Sequence, residues 1–353
     1  MPLLKHILFL VALGLMAWTV TDDLPTGAYV LQYPAQFGGR FTIPADNPLT
    51  KEGVYLGRML FYDERLSATG KVACATCHQP ARAFTDGRAL SVGVTGKPTT
   101  RNAMSLVNLL WVRRLFWNGR AESLEAQALV PLTHPDEMGL KPGQAAAILQ
   151  RTPPYPALFR RVFRTDTITD AHVAKALAQF ERTLISANAP YDRYLQGQYT
   201  LTEAESRGLR LFTAAPNPAR GIRGGNCAHC HGGPKLYQEL FHTNGLDATP
   251  ADSGRQALTK LPLDRGRFRV PTLRNIALTA PYMHDGRFAT LDTVLDHYSD
   301  HVQAAPNLPT ELVAANAGGL RFTRQEKQDL LAFLRLFTDS SFVQNPQLRQ
   351  PRR

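Results

Sequence analysis

The sequence predicts a mostly α-helical protein made of two similar units in tandem, and three observations carry that expectation. Apolar residues recur at helical spacing in segments spread along the chain. Alternating runs that would mark strands are sparse throughout. One short motif, Cys-x-x-Cys-His, occurs twice, as Cys74-Ala75-Thr76-Cys77-His78 and Cys227-Ala228-His229-Cys230-His231, with helical pattern before and after each copy. At 353 residues, 44% of them hydrophobic, the chain can supply a core to each unit.

The elements follow in order. In MPLLKHILFLVALGLMAWTV, Lys5 precedes an apolar run from Ile7 to Val20 that Asp22 and Asp23 close. This is the pattern of an export signal over residues 1–22. The run is shorter than the roughly 20 residues of a comfortable membrane span, and no clean small-x-small cleavage site follows it, so an uncleaved anchor is the alternative. Either reading places the protein in the periplasm. Residues 23–48 carry Pro25, Gly27, Pro34, Gly38, Gly39, Pro44 and Pro48, a density of breakers that predicts an irregular lead-in.

From Leu49 onward, GVYLGRMLFYDERLS sets Val54, Leu56, Leu60 and Phe61 at helical spacing. Asn102–Leu110 and Glu122–Leu129 read as short helices. In DAHVAKALAQFERTLIS, residues 170–186, the apolar face repeats at Val173, Ala176, Leu177, Phe180 and Leu184. Thr202 and Glu205 form a Thr-x-x-Glu capping pair opening a helix that stops before Pro216, which puts a boundary near residues 188–200. The same pair, Thr323 and Glu326, opens the helix through KQDLLAFLRLFT. The units are therefore expected at 49–195 and 196–340, with a tail at 341–353.

Cys-x-x-Cys-His has three chemical readings: a zinc site, a disulfide, and covalent attachment of c-type haem. Zinc could pool four thiolates but leaves the two following histidines unexplained. A disulfide accounts for the cysteines and for export, and again ignores the histidines. Haem attachment uses every residue, with two thiols bonded to the porphyrin vinyl groups and the adjacent imidazole on iron. Two copies exhaust the cysteines of the chain, so Cys74, Cys77, Cys227 and Cys230 are read as anchors for two haems and His78 and His231 as proximal iron ligands. The fold class is then two tandem cytochrome c-like haem domains. His172, His242 and His229 are given ordinary core or surface roles, and His6 falls in the signal. The net charge of +11 is scattered, with no dense basic run interleaved with aromatics. That argues against a nucleic-acid partner and suits steering of an acidic redox partner.

The ordered stretches LGRMLFYDERLS, CATCH, RNAMSLVN, FWNGRAESLEAQA, HPDEMG, CAHCHGG, VPTLRNIALTAPYMHDGRF and LDTVLDHYSD resemble the bacterial dihaem cytochrome c peroxidase family, including its branch that contains MauG, across residues 45–338. The resemblance implies that hydrogen peroxide is reduced at the N-terminal haem. Electrons would enter through the C-terminal haem from a small cytochrome c or copper protein, in a protein whose relatives are often homodimers. Glu137 falls on the family's catalytic acid–base and Gln127 on the amide that orients peroxide; from the residues alone Glu137 could equally be a solvated carboxylate. Trp117 matches the tryptophan between the haems, where it would relay charge, and it could also simply pack an interface. Asn102, Thr279 and Pro281 match the ligands of one calcium ion, whose oxygen-donor chemistry suits a hard cation.

Two departures stand out. Classical members place a haem-blocking His in an SxGH stretch, and the matching residues here are Ser91-Val92-Gly93-Val94. Val94 cannot ligate, so the first iron is expected to be open in the oxidised enzyme. The classical distal Met of the second haem falls on Tyr298, as it does in MauG, and a phenolate favours ferric iron relative to a thioether. The alternative makes Tyr298 a core aromatic and Met283, His297 or His301 the ligand. Three functions follow: a peroxidase, a MauG-like peroxide-dependent oxidase of a protein or organic substrate, and a dihaem electron carrier without catalysis, which Val94 disfavours.

Overall fold

The computed structural model describes residues 25–316 and 319–351. The export signal or anchor expected at residues 1–22 lies outside them. Among the described residues no helix is long and apolar enough to cross a membrane. Short helices joined by irregular connections make up the fold, and the strands are few, as the sequence predicts. The one sheet among the described residues is an antiparallel ladder of β1 (Phe241–His242) on β2 (Phe268–Arg269), with Phe241 opposite Arg269 and His242 opposite Phe268.

The first half contains α1 (Lys51–Phe61), α2 (Cys74–Cys77), α3 (Leu124–Thr133), α4 (Gln144–Gln150), α5 (Tyr155–Phe163) and α6 (Asp170–Glu181). Thr50 caps α1 by accepting from Gly53 N at 3.0 Å, and Thr169 caps α6 by accepting from His172 N at 3.2 Å. These two helices cross so closely that a Cβ on Gly57 would lie 1.9 Å from the Ala176 carbonyl oxygen. Only glycine admits the contact. Leu56, Leu60 and Phe61 of α1 then bury against Val173, Leu177 and Phe180 of α6.

The second half contains α7 (Pro190–Leu195), α8 (Glu203–Thr213), α9 (Cys227–His231), α10 (Gln256–Thr259), α11 (Leu291–Asp296), α12 (Thr310–Asn316) and α13 (Arg324–Arg335). Both capping boxes form, Thr202 with Glu205 and Thr323 with Glu326. Here too the helices flanking the motif meet through a glycine: a Cβ on Gly208 of α8 would lie 2.1 Å from the Asp329 carbonyl oxygen of α13. Leu211, Phe212, Leu330, Phe333 and Phe337 fill the core between them. One arrangement, a helix before and a helix after each Cys-x-x-Cys-His in glycine contact, is thus built twice.

The lead-in is irregular, with one 3₁₀ turn at Ala35–Phe37, and it joins the halves. Phe37 buries with Leu110 and Trp111 from the first and Tyr237 and Val270 from the second, while Trp111 Nε1 donates to Gly38 O at 2.8 Å. The C-terminal segment returns to the first core through α14 (Ser340–Gln344): Phe342 and Leu348 bury there, and Tyr62 Oη donates to Leu348 O at 2.6 Å.

Two expectations are corrected. Asn102–Leu110 is not a helix; residues 102–106 are irregular and only a 3₁₀ turn, Leu109–Trp111, follows. Its backbone donors serve distant partners instead, Asn102 N to His284 O and Asn108 N to Leu184 O, both at 2.8 Å. The helix read to Ser186 ends at Glu181, and the chain beyond it turns so that Asn108 and Ser186 exchange hydrogen bonds of 2.9 and 3.0 Å.

Candidate active site

Each Cys-x-x-Cys-His unit faces its own cavity. The first, about 560 Å³, is lined by Cys74, Cys77 and His78 together with Gln127, Glu137 and Trp117. The second, about 260 Å³, is lined by Cys227, Cys230, His231 and Tyr298. None of the four cysteines is in a disulfide, and because the pairs line different cavities they do not pool around one ion. Burial raises every thiol, Cys227 to about 12 and Cys230 to about 11, so they are held neutral.

The two histidines are set in the same way. His78 Nδ1 lies 2.8 Å from Phe84 O, and His231 Nδ1 lies 3.1 Å from Pro271 O. A ring nitrogen facing a carbonyl carries the proton, which leaves Nε2 with its lone pair free. Burial lowers both pKa values, that of His231 to about 4, so both rings are neutral ligand-grade imidazoles at neutral pH.

Opposite the first motif, the Glu137 loop is pinned to the segment that carries Val94. Val94 N donates to Glu137 O at 2.9 Å, and a Cβ on Gly93 would sit 2.0 Å from Asp136 O. Ser91 and Gly93 line the cavity, and Val94 offers no ligating atom. Burial raises the pKa of Glu137, with His134 and Arg120 pulling it back and Asp136 adding to the rise. His134 Nδ1 stands 3.8 Å from Glu137 Oε1 and lines the same cavity. Glu137 and Gln127 are therefore brought together with His78.

Trp117 lines both cavities. Its Nε1 donates to Asn102 O at 2.9 Å, and its ring meets Phe268 edge-on at 6.3 Å, which in turn stacks on His284 at 3.9 Å. Asn102 Nδ2 donates to Arg88 O at 2.9 Å and Ala89 O at 3.2 Å. That orientation leaves the amide oxygen as the side-chain atom to meet a cation, and Thr279 and Pro281 line the second cavity with Asn102.

Tyr298 sits on a π-helical turn, His297–His301, that continues α11. Burial raises its pKa to about 12, while a hydrogen bond with Asn244 opposes the rise. Among the alternatives, His297 Nε2 is engaged by Asn244 O at 2.9 Å, and exposed His301 holds Asp296 O at 3.0 Å through Nδ1. Tyr298 and Met283 line the cavity; those two histidines do not.

The polar atoms left over test whether the cavities suit haem. Among the described residues seven buried side-chain atoms lack a hydrogen-bond partner, and four of them, Asn118 Oδ1, Glu181 Oε2, His242 Nε2 and Arg269 Nε, belong to residues that line one cavity or both. Buried polar atoms are normally paired, so these four gaps fall where a ligand with polar groups would lie. Together with paired thiols and a free imidazole Nε2 at each cavity, the donor set fits covalent haem. Sequence reading gives Arg120, Glu181 and Arg269 no site role: Arg120 lies in FWNGRAESLEAQA and Glu181 in the 170–186 helix, each as one charged residue among many, and Arg269 stands outside the quoted stretches. His242, read as an ordinary core or surface residue, lines the second cavity. His172 does pack structurally, stacked on Phe163 at 5.1 Å, and His229 faces Glu311 at 3.1 Å.

Residues 51–200 match the family model described as di-haem cytochrome c peroxidase. The chain is 38% identical over 309 residues to the methylamine utilization protein MauG of Methylorubrum extorquens, covering 86% of this chain and 84% of that one. It is 34% identical over 259 residues to the cytochrome c551 peroxidase of Nitrosomonas europaea, covering 72% and 75%. The crystal structure of a MauG-like protein associated with microbial copper homeostasis superposes with a TM-score of 0.84 at 37% identity, over 92% of this chain and 99% of that one. Likeness of this depth along most of both chains, on a fold that builds the same motif and helix pair twice, makes the protein a member of the di-haem cytochrome c peroxidase family, to which the MauG proteins also belong.

Proposed function

We propose that the protein is a periplasmic dihaem c-type peroxidase that reduces hydrogen peroxide to water in the first cavity, with electrons from a small cytochrome c or copper protein entering through the second. The observation that carries this reading is that Glu137 and Gln127 share a cavity with Cys74, Cys77 and His78. One haem would be held by those three residues in the unit 49–195. The other would be held in the unit 196–340 by Cys227, Cys230, His231 and Tyr298. Bound haem iron supplies a Lewis acid for peroxide and one-electron exchange.

The chain's own groups do the rest. The Gln127 amide orients peroxide, and the Glu137 carboxylate takes the proton from one peroxide oxygen and delivers it to the other, which leaves as water as the O–O bond breaks; the two donor electrons and two protons from solvent convert the remaining oxygen to a second water. Burial raises the pKa of Glu137, which strengthens its hold on the proton it carries between the two oxygens. Trp117, bordering both cavities, divides one long electron transfer into two shorter ones. The Asn102 amide oxygen with Thr279 and Pro281 carbonyls would hold one calcium between the units.

The test is Glu137→Gln assayed for peroxide turnover with a reduced small cytochrome c. The expected result is a loss of about 10²–10⁴-fold with both haems retained by pyridine haemochrome. Undiminished turnover would remove Glu137 from the mechanism. A second reading, a MauG-like peroxide-dependent oxidase of a protein or organic substrate, is favoured by Tyr298 at the second cavity and by Val94 beside the first. Oxidation of an added organic substrate by peroxide, without any cytochrome donor, would select it.

A further inference from the structure

Arg269 is a buried cation with no anion at ion-pair distance among the described residues. It is 5% exposed, it forms no ion pair among the described residues, and its Nε has no hydrogen-bond partner. Its one side-chain hydrogen bond runs from Nη2 to Met104 Sδ at 3.6 Å, a long contact to a weak acceptor. The backbone holds it firmly nonetheless. Arg269 N donates to Trp117 O at 2.7 Å, and β2 pairs with β1 opposite Phe241. Glu239 is the carboxylate whose charge reaches Arg269, and it stands beyond ion-pair distance, its Oε1 accepting from Arg113 N at 3.3 Å.

A guanidinium stays charged in proteins, and an uncompensated buried charge is strongly destabilising. No carboxylate among the described residues supplies the counter-anion, and a ligand bound in the cavities would supply it. Arg269 lines both cavities, and the groups expected in them each carry carboxylates. The inference rests on the two-haem reading above. We propose that Arg269 is a cation shared by the two haem sites, pairing with haem propionate carboxylate and biasing both irons toward the reduced state. It acts through the haem edge, as a positioning and potential-setting residue, and takes no part in proton transfer.

The test uses the full-length holoprotein with Arg269→Gln and Arg269→Lys, each checked for two haems by pyridine haemochrome and then titrated spectroelectrochemically. Removing the charge should weaken reduction of at least one haem about tenfold, a fall of about 59 mV for one electron. Lysine, which keeps the charge and loses the planar fork, should restore most of that potential while still shifting the propionate bending band in resonance Raman spectra. If the glutamine variant does not accumulate, the lysine variant alone decides, because an unmoved propionate band then contradicts the pairing. Two haems with unchanged potentials and an unchanged band in Arg269→Gln would overturn the inference. Fewer than two haems in the unaltered protein would instead overturn the two-haem reading on which it stands.

Discussion

Glu137 binds its proton more tightly than an ordinary carboxyl because it is taken out of water, and His134 and Arg120 only partly compensate. In the proton-carrying role proposed for Glu137 the working form would be the carboxylate, so activity should rise with pH as it ionises, on an acid limb displaced above the usual carboxylate range. In Glu137→Gln that limb should vanish from the pH profile of kcat/KM along with most of the rate. Glu181 makes a different prediction. Burial raises its pKa from 4.5 to about 8, against the pull of Arg182. The folded state then holds the proton more tightly than the unfolded one, so the stabilisation is complete below 4.5 and is lost as pH rises to about 8. Thermal melts of Glu181→Gln across that window should be nearly flat where the parent declines, a difference on the order of a few kcal/mol at the alkaline end. Equal slopes would remove Glu181 as the source. Neither this carboxyl nor Arg269 was legible in the sequence, where each is one charged residue among many, and burial without a partner exists only after folding. The Cys-x-x-Cys-His residues stand out in the sequence because the whole motif lies within five consecutive positions.

Helices α1 and α6, and α8 and α13, owe their close crossings to Gly57 and Gly208. Gly57→Ala drives a methyl against the backbone of Ala176, and Gly208→Ala against that of Asp329; neither carbonyl can move without its own helix. Each substitution should destabilise by about 1–3 kcal/mol or more, whereas Gly39→Ala, with open space around it, should stay within about 0.5 kcal/mol. Melting temperatures followed by far-UV circular dichroism check this, and equal values for all three would sink the close-packing argument. At this scale, legibility tracked local signals. The helices that carry their own caps, such as those opened at Thr202 and Thr323, stand where the sequence puts them. Asn102–Leu110 was misread because its backbone bonds go to His284 and Leu184, which are remote in sequence. The short α4 and α5, separated by Pro153 and Pro154, gave too little period to register.

Across the whole molecule, the duplicated motif forecast two helical halves, each with its own cavity. It could not forecast how they join. The lead-in inserts Phe37 at the seam, the C-terminal segment returns to the first core, and Trp117 and Arg269 are shared by both cavities. Such contacts leave no periodic trace, because they tie single residues far apart in the chain. On the proposed function, the first site would take peroxide without prior reduction, since Val94 offers no blocking ligand, and the second site would be coupled to it. The most direct measurement is stopped-flow absorption of the fully oxidised holoprotein mixed with stoichiometric hydrogen peroxide and no reductant. A fast change in the Soret band is the predicted result, whereas an unchanged spectrum would contradict the account by showing that the first site is closed in the oxidised protein.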